Sequence, residues 1–304
     1  MLRPGSIWPL LAVGALGALG CSGAAPLPPK AVELNKAGTE ALVRGDLETA
    51  DARFTLALEY SPRFVEALVN QGLVELQRGN FDRARELIMR ARRLNPDVAQ
   101  PHHALGILAE RQARPDEASR HYYAALEVDP GFCPARANLA RLLFDAGMLE
   151  EALIQYKRLA EAEPDGVDAA VGQAETLLRL RRVDEADAIT RAALERFPGS
   201  AELTTLAARA LLRKGDADAA IALLLPLGYG RDDVAATALA WLATAELVRG
   251  RPRSAVGAAE RALKLEPGSP VATFAMAEAL EELGDPAALT WRARAGRSAA
   301  RQVR

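Results

Sequence analysis

Gly72-Leu73-Val74-Glu75-Leu76-Gln77-Arg78-Gly79-Asn80-Phe81-Asp82-Arg83-Ala84 decides the fold, because its small residues return at a fixed interval along the chain. With Ala31 as the first position of a 34-residue frame, Gly72 stands eighth in its copy. That position reads Gly38, Gly72, Gly106, Ala140, Ala174 and Ala208, then, one residue out of step, Ala243 and Ala277. Ala84 stands twentieth, in the column Ala50, Ala84, Ala118, Ala152, Ala186, Ala220 and Ala255. The fifteenth position holds Gly45, Gly79, Gly147, Gly215, Gly250 and Gly284, and the thirty-second Pro62, Pro96, Pro130, Pro164, Pro198 and Pro267. Large residues occupy the twenty-fourth: Phe54, Ile88, Tyr122 and Tyr156.

Packing explains these columns. Small residues at the eighth and twentieth positions let two antiparallel helices approach closely, where longer side chains would wedge them apart. Glycine at the fifteenth ends the first helix through a left-handed cap, and proline at the thirty-second cannot continue the second. Ser200 and Ser269, just beyond that proline, are placed to cap the next helix. Each copy is therefore helix, tight turn, helix, tight turn. The period and the columns resemble the tetratricopeptide repeat family. The expected fold is all-α, a right-handed superhelical solenoid of about eight helix pairs over residues 31–304, with a concave inner face.

Two departures stand out. Pro226 interrupts the second helix of the sixth copy and Gly228-Tyr229-Gly230 follows, predicting a short helix and an irregularity near 226–234. At the end, Pro286 and Leu289 disturb the last copy, and Arg294, Arg297, Arg301 and Arg304 fall at helical spacing. This reads as a charged capping helix over 286–304, because a terminal helix lacks a neighbour on one side.

Composition narrows the function. Half of the 304 residues are hydrophobic, carried by Ala and Leu rather than the 5% aromatics, which favours helix. With 38 basic and 40 acidic residues the net charge is −2, which lacks the cationic excess of a nucleic-acid binder. His102 and His103 point to different faces of one helix, and His121 lies on the next without ligands at metal spacing. The glycines belong to the repeat frame rather than to a phosphate loop, and no nucleophile elbow is present. The expectation is no enzyme, no cofactor, no metal and no small-molecule substrate. Cys133 reads as a small residue at a helix start.

Arg3 is the only charge in the first 29 residues, and an apolar run from Ile7 to Gly20 is too short and too broken to span a membrane. Ala18-Leu19-Gly20-Cys21-Ser22 resembles the lipobox of bacterial lipoproteins, which implies a signal peptide over 1–20 and acylation of Cys21. Ala18 and Gly20 also suit the ordinary signal peptidase, so plain secretion stays open. Residues 21–30, rich in Pro and Ala, read as an extended tether. The lipobox resemblance implies export and anchoring in the envelope. Ser22 is compatible with outer-membrane sorting toward the periplasm.

In the tetratricopeptide family the first helix of each copy lines a groove for partner segments. Carried over, that resemblance nominates Asn35, Thr39, Asn70, Leu73, Gln100, His103, Ile107, Asn138, Arg141, Phe144, Glu175 and Arg209, with Thr244, Phe274 and Glu278 beyond. Asn70 and Asn138 share a position where an amide can donate to and accept from a peptide backbone. The family's clamp for a terminal carboxylate needs cations where Asn35, Thr39, Gln100 and Ala104 stand, so that use is not expected. The function expected is a protein-binding scaffold assembling an envelope complex, with a passive structural spacer as the alternative. Anchor plus repeats together resemble the type IV pilus pilotins, although assembly, export and cell-contact roles share that pattern.

Overall fold

The computed structural model describes residues 26–303, among which the chain forms sixteen helices and no strand. The signal peptide and Cys21 lie outside the described residues. The chain divides into two compact units, one ending at Leu142 and one beginning at Leu143. The first holds α1 (Pro29–Val43), α2 (Leu47–Tyr60), α3 (Val65–Gln77), α4 (Phe81–Leu94), α5 (Ala99–Arg111) and α6 (Pro115–Val128). α7 (Cys133–Asp145) runs across the boundary. The second continues with α8 (Leu149–Ala162), α9 (Val167–Arg179), α10 (Val183–Arg196), α11 (Ala201–Arg213) and α12 (Ala217–Leu227). It ends with α13 (Asp233–Val248), α14 (Pro252–Leu265), α15 (Pro270–Glu282) and α16 (Ala288–Val303). α1 opens on Pro29, inside the stretch read as tether, because proline's fixed φ suits a first helical position.

Within each unit helices pack on the next in sequence, and odd-numbered helices also pack on one another across repeats. This is a solenoid of helix pairs, and it is built by the predicted columns. The alanines of the twentieth position, Ala50 through Ala255, are fully buried. So are Phe54, Ile88 and Tyr122. Each of these large side chains lies against the eighth-position glycine of its own copy. A methyl group added to Gly106 would stand 2.3 Å from the Tyr122 ring, and one on Gly72 2.7 Å from Ile88. Burying such a side chain contributes about 2 kcal/mol through apolar area removed from water. In the fourth copy the eighth residue is Ala140, and the Tyr156 ring instead meets Gly172, where an added methyl would stand 2.2 Å away. The large residue follows the vacancy.

The turns obey the same logic. After α1, Asp46 N–H reaches Ala41 O and Gly45 N–H reaches Leu42 O, both at 3.0 Å, with Gly45 at φ 77°. The third and fifth copies lack the glycine, yet Ala113 (φ 55°) and Arg181 (φ 60°) adopt the same left-handed turn. Their repeats enforce it through the matching bonds Arg114 N–H to Ala109 O and Arg182 N–H to Leu177 O, each 2.9 Å. Ser200 caps α11 by accepting from Leu203 N–H at 3.3 Å. Ser269 precedes α15 without a side-chain cap, and its carbonyl accepts from Thr273 Oγ1 at 2.7 Å. The aspartates Asp46, Asp216 and Asp232 do cap, accepting from the amides of Thr49, Ala219 and Ala235.

Pro226 sits in the last turn of α12, which has 11 residues where the other even-numbered helices before it have 14. α16 is not one continuous helix: Gly296 is non-helical (φ 60°, ψ −177°). The side chains of Arg297, Arg301 and Arg304, on which the charged-stripe reading rests, lie outside the described residues. Arg294 lies over Trp291 at 4.8 Å.

Replacing Ala113 with Gly relieves left-handed strain and is expected to raise stability by about 1 kcal/mol. Gly79→Ala is expected to lower it by a similar amount. Urea unfolding midpoints of the two variants against the parent chain check both signs.

Candidate protein-binding faces

The odd-numbered helices present the nominated residues, and in the first unit they are joined by hydrogen bonds across repeats. Asn35 donates to Glu66 Oε1 at 2.9 Å, and Thr39 donates to the Asn35 carbonyl at 3.0 Å. Asn70 Nδ2 donates to Asn35 Oδ1 at 3.1 Å and to Thr39 Oγ1 at 3.3 Å. Burial pushes the Glu66 carboxyl up, and the Asn35 amide opposes that by donating to it. Two repeats on, Asn138 Nδ2 lies 2.9 Å from His103 Nε2. The two links are equivalent, each joining residues 35 apart. Val69 and Ala104, both buried, fill the corresponding places between them.

This alters the reading of Asn70 and Asn138. Their amide nitrogens are engaged by the preceding repeat, because a polar residue stands one repeat and one residue earlier in each case. A two-handed grip on a peptide backbone is therefore not available to Asn70; its carbonyl oxygen is what it can offer a guest. Gln100 makes no hydrogen bond among the described residues and is half-buried, as are Leu73 and Ile107. Cys133 is buried at the start of α7, its thiol donating to Gly131 O at 3.3 Å.

His103 packs 5.4 Å from the Phe132 ring and 5.8 Å from Tyr122. Burial drives its pKa down to about 4, which keeps the imidazole neutral and Nε2 able to accept from Asn138. His102 and His121 approach each other at 6.2 Å, and among the described residues no third ligand completes a metal cluster. A second network was hidden in the packing columns. Tyr122 donates its hydroxyl to Glu110 Oε1 at 2.5 Å, and Arg141 donates to the other Glu110 oxygen. Burial, then the Glu110 charge, push the Tyr122 phenol far above its ordinary range. Tyr122 reads from sequence as core alone; Glu110, four residues before Arg114 on a polar helix end, carries no distinguishing signal.

In the second unit Arg179 lies 4.5 Å over the Phe144 ring and donates to the Phe144 carbonyl at 3.1 Å. Arg209 lies 4.8 Å over Trp241, with Glu175 3.7 Å away. Thr244 turns inward and donates to Ala240 O at 3.3 Å, and Glu278 pairs with Arg292 at 2.8 Å. Phe274 is half-buried. Trp241, outside the nominated positions, is the platform that holds Arg209.

Family models described as tetratricopeptide repeat match residues 63–130, residues 109–178, and residues 171–225 with 231–288. The chain belongs to the tetratricopeptide-repeat family. The interruption in the last of those matches, residues 226–230, falls where α12 ends at Leu227 and Gly228 and Gly230 follow. This tetratricopeptide-repeat protein is 32% identical over 100 residues to the type IV pilus assembly protein PilF of Pseudomonas aeruginosa, covering 33% of this chain and 38% of PilF. It is 28% identical over 187 residues to Protein FlbA of Caulobacter vibrioides, covering 62% of this chain and 30% of FlbA. The matched stretches thus span well under half of either relative. Among solved structures, a tetratricopeptide repeat protein from Parabacteroides merdae superposes with a TM-score of 0.56 at 17% identity, covering 83% of this chain and all of that one. Pseudomonas aeruginosa PilF gives 0.56 at 20% identity, covering 70% and 97%. At these identities the likeness is one of fold.

His103 is neutral when folded and takes a proton at pH 6.5 when exposed, so the unfolded chain binds more protons between those limits. Its contribution to stability is present above pH 6.5 and is expected to fall as pH drops toward 4. Ring-proton NMR is expected to place its titration near pH 4, and His103→Gln to flatten the pH dependence of unfolding across that window.

Proposed function

We propose that this protein is a scaffold that holds partner proteins on its odd-helix faces and is tethered by lipid at Cys21 to the bacterial cell envelope, at the outer membrane facing the periplasm. The observation that carries the scaffold reading is the first unit's face. There the half-buried Leu73 and Ile107 and the half-buried amide of Gln100 stand beside the unused Asn70 carbonyl oxygen. Apolar contact with a few convergent polar groups is what an extended segment of another protein requires. The frame beneath is rigid, because the links Asn35–Asn70 and His103–Asn138 tie successive repeats. The lipobox-like Ala18–Ser22 supports the anchor, and the partial likeness to PilF supports an envelope assembly such as a pilus machine.

Photo-crosslinking residues placed at Leu73 and Gln100, which leave the inter-repeat ties intact, are expected to give one dominant protein adduct in cells. No adduct above background would instead favour a passive spacer. Cys21→Ala is expected to abolish incorporation of radiolabelled fatty acid; a variant that still takes up the label ends the lipid anchor while leaving the scaffold standing.

A further inference from the structure

Several cations of the second unit are paired with acids. Lys214, at the α11 turn, lies 2.8 Å from Asp187, and Arg182 2.6 Å from Glu185. Arg191 lies 2.5 Å from Asp187, and Arg196 3.0 Å from Asp165. The arginines of α9, of the turn after it and of α11 are not so paired. Arg179 donates only to a backbone carbonyl, and among the described residues no acid pairs with Arg181 or Arg213. Arg209 has one acidic neighbour, Glu175, at 3.7 Å, beyond hydrogen-bond reach. Its Nε is buried without a partner, and its side chain is 16% exposed.

These arginines also feel one another. Burial lowers the pKa of Arg209, Glu175 raises it, and the charge of Arg213 lowers it further. Arg213 is pushed down by burial and then by the charge of Arg181. Holding like charges together costs energy that an anion returns, since guanidinium groups are weakly hydrated and fork onto carboxylates. Trp241 and Phe144 fix two of the planes, at 4.8 Å under Arg209 and 4.5 Å under Arg179, so those two cations are oriented before a guest arrives.

We infer that the odd-helix face of the second unit, through Arg209 and Arg213 with Arg179 and Arg181 at its margin, docks an acidic peptide segment of a partner protein. The inference rests on the scaffold reading and names the chemistry of one partner. A peptide fits better than a bilayer because Arg209 is recessed, within reach of an extended chain but not of a flat surface. The carboxylates of Asp or Glu meet the guanidinium forks in pairs.

The test is fluorescence anisotropy of the full chain with a fluorescein-labelled dodecapeptide of alternating Glu and Ser. The Gln-for-Glu and Lys-for-Glu peptides serve as controls. The Glu peptide is expected to bind saturably and to weaken with added salt, and the control peptides not to bind. Arg213→Glu is expected to weaken binding at least tenfold and Arg213→Lys by only a few fold, while Arg191→Glu on an even helix leaves it unchanged. Circular dichroism checks that the variants keep their helix content, and Arg213→Gln replaces Arg213→Glu if the latter unfolds. Equal binding by the parent and the Arg213 variants overturns the inference, as does no binding of the Glu peptide. Capture by phosphatidylglycerol vesicles in place of the peptide also overturns it and makes the face a lipid site. Crosslinking at Leu73 and Gln100 reads the other unit, so failure of the scaffold and failure of this face are told apart.

Discussion

The structure depends on the close approach of paired helices, and that approach depends on a missing side chain. Gly106 leaves room for the Tyr122 ring where even one methyl would intrude to 2.3 Å, and Gly38 does the same for Phe54 at 2.6 Å. With the pair drawn together, the alanines Ala50, Ala84 and Ala118 become fully buried and the second helix of each copy locks onto the first. Helices then pack on the next in sequence, and odd helices meet across repeats, forming the face proposed to hold partners. Tyr122 joins the two levels: its ring fills the glycine's vacancy while its hydroxyl holds Glu110, which in turn holds Arg141 on that face.

The fold was legible because small residues keep such strict register only where paired helices must nest, copy after copy. The frame correctly located the glycine turns at Gly45 and Gly79, the short helix ending after Pro226, and the buried alanine columns. It is silent where neighbours override local preference. Ala113 and Arg181 take a glycine's conformation because the bonds on either side demand it. Tyr156 leaves its own copy for Gly172 because Ala140 has filled the usual vacancy. The last helix breaks at Gly296, a residue without a preference strong enough to announce the break.

The faces were less legible than the fold, since a repeat frame states which positions face outward but not what they have already bonded. Asn70 and Asn138 look alike in sequence and are alike in structure, yet their amides serve neighbouring repeats. The identity of those neighbours, Asn35 and His103, becomes relevant only when residues 35 apart are seen to touch. The two units also differ in character. The first joins its repeats through neutral amides and an imidazole kept uncharged by burial, whereas the second carries arginines laid on aromatic rings.

Helices find their main packing partners one or two elements away in sequence. Such a chain closes only short loops as it folds, so order can begin in any repeat and spread, and little of the search involves distant segments. A polypeptide of this kind that is delivered end-first, by a ribosome or through a membrane pore, can assemble each pair as it emerges. It need not wait for its far terminus before its first pairs are sheltered from proteases.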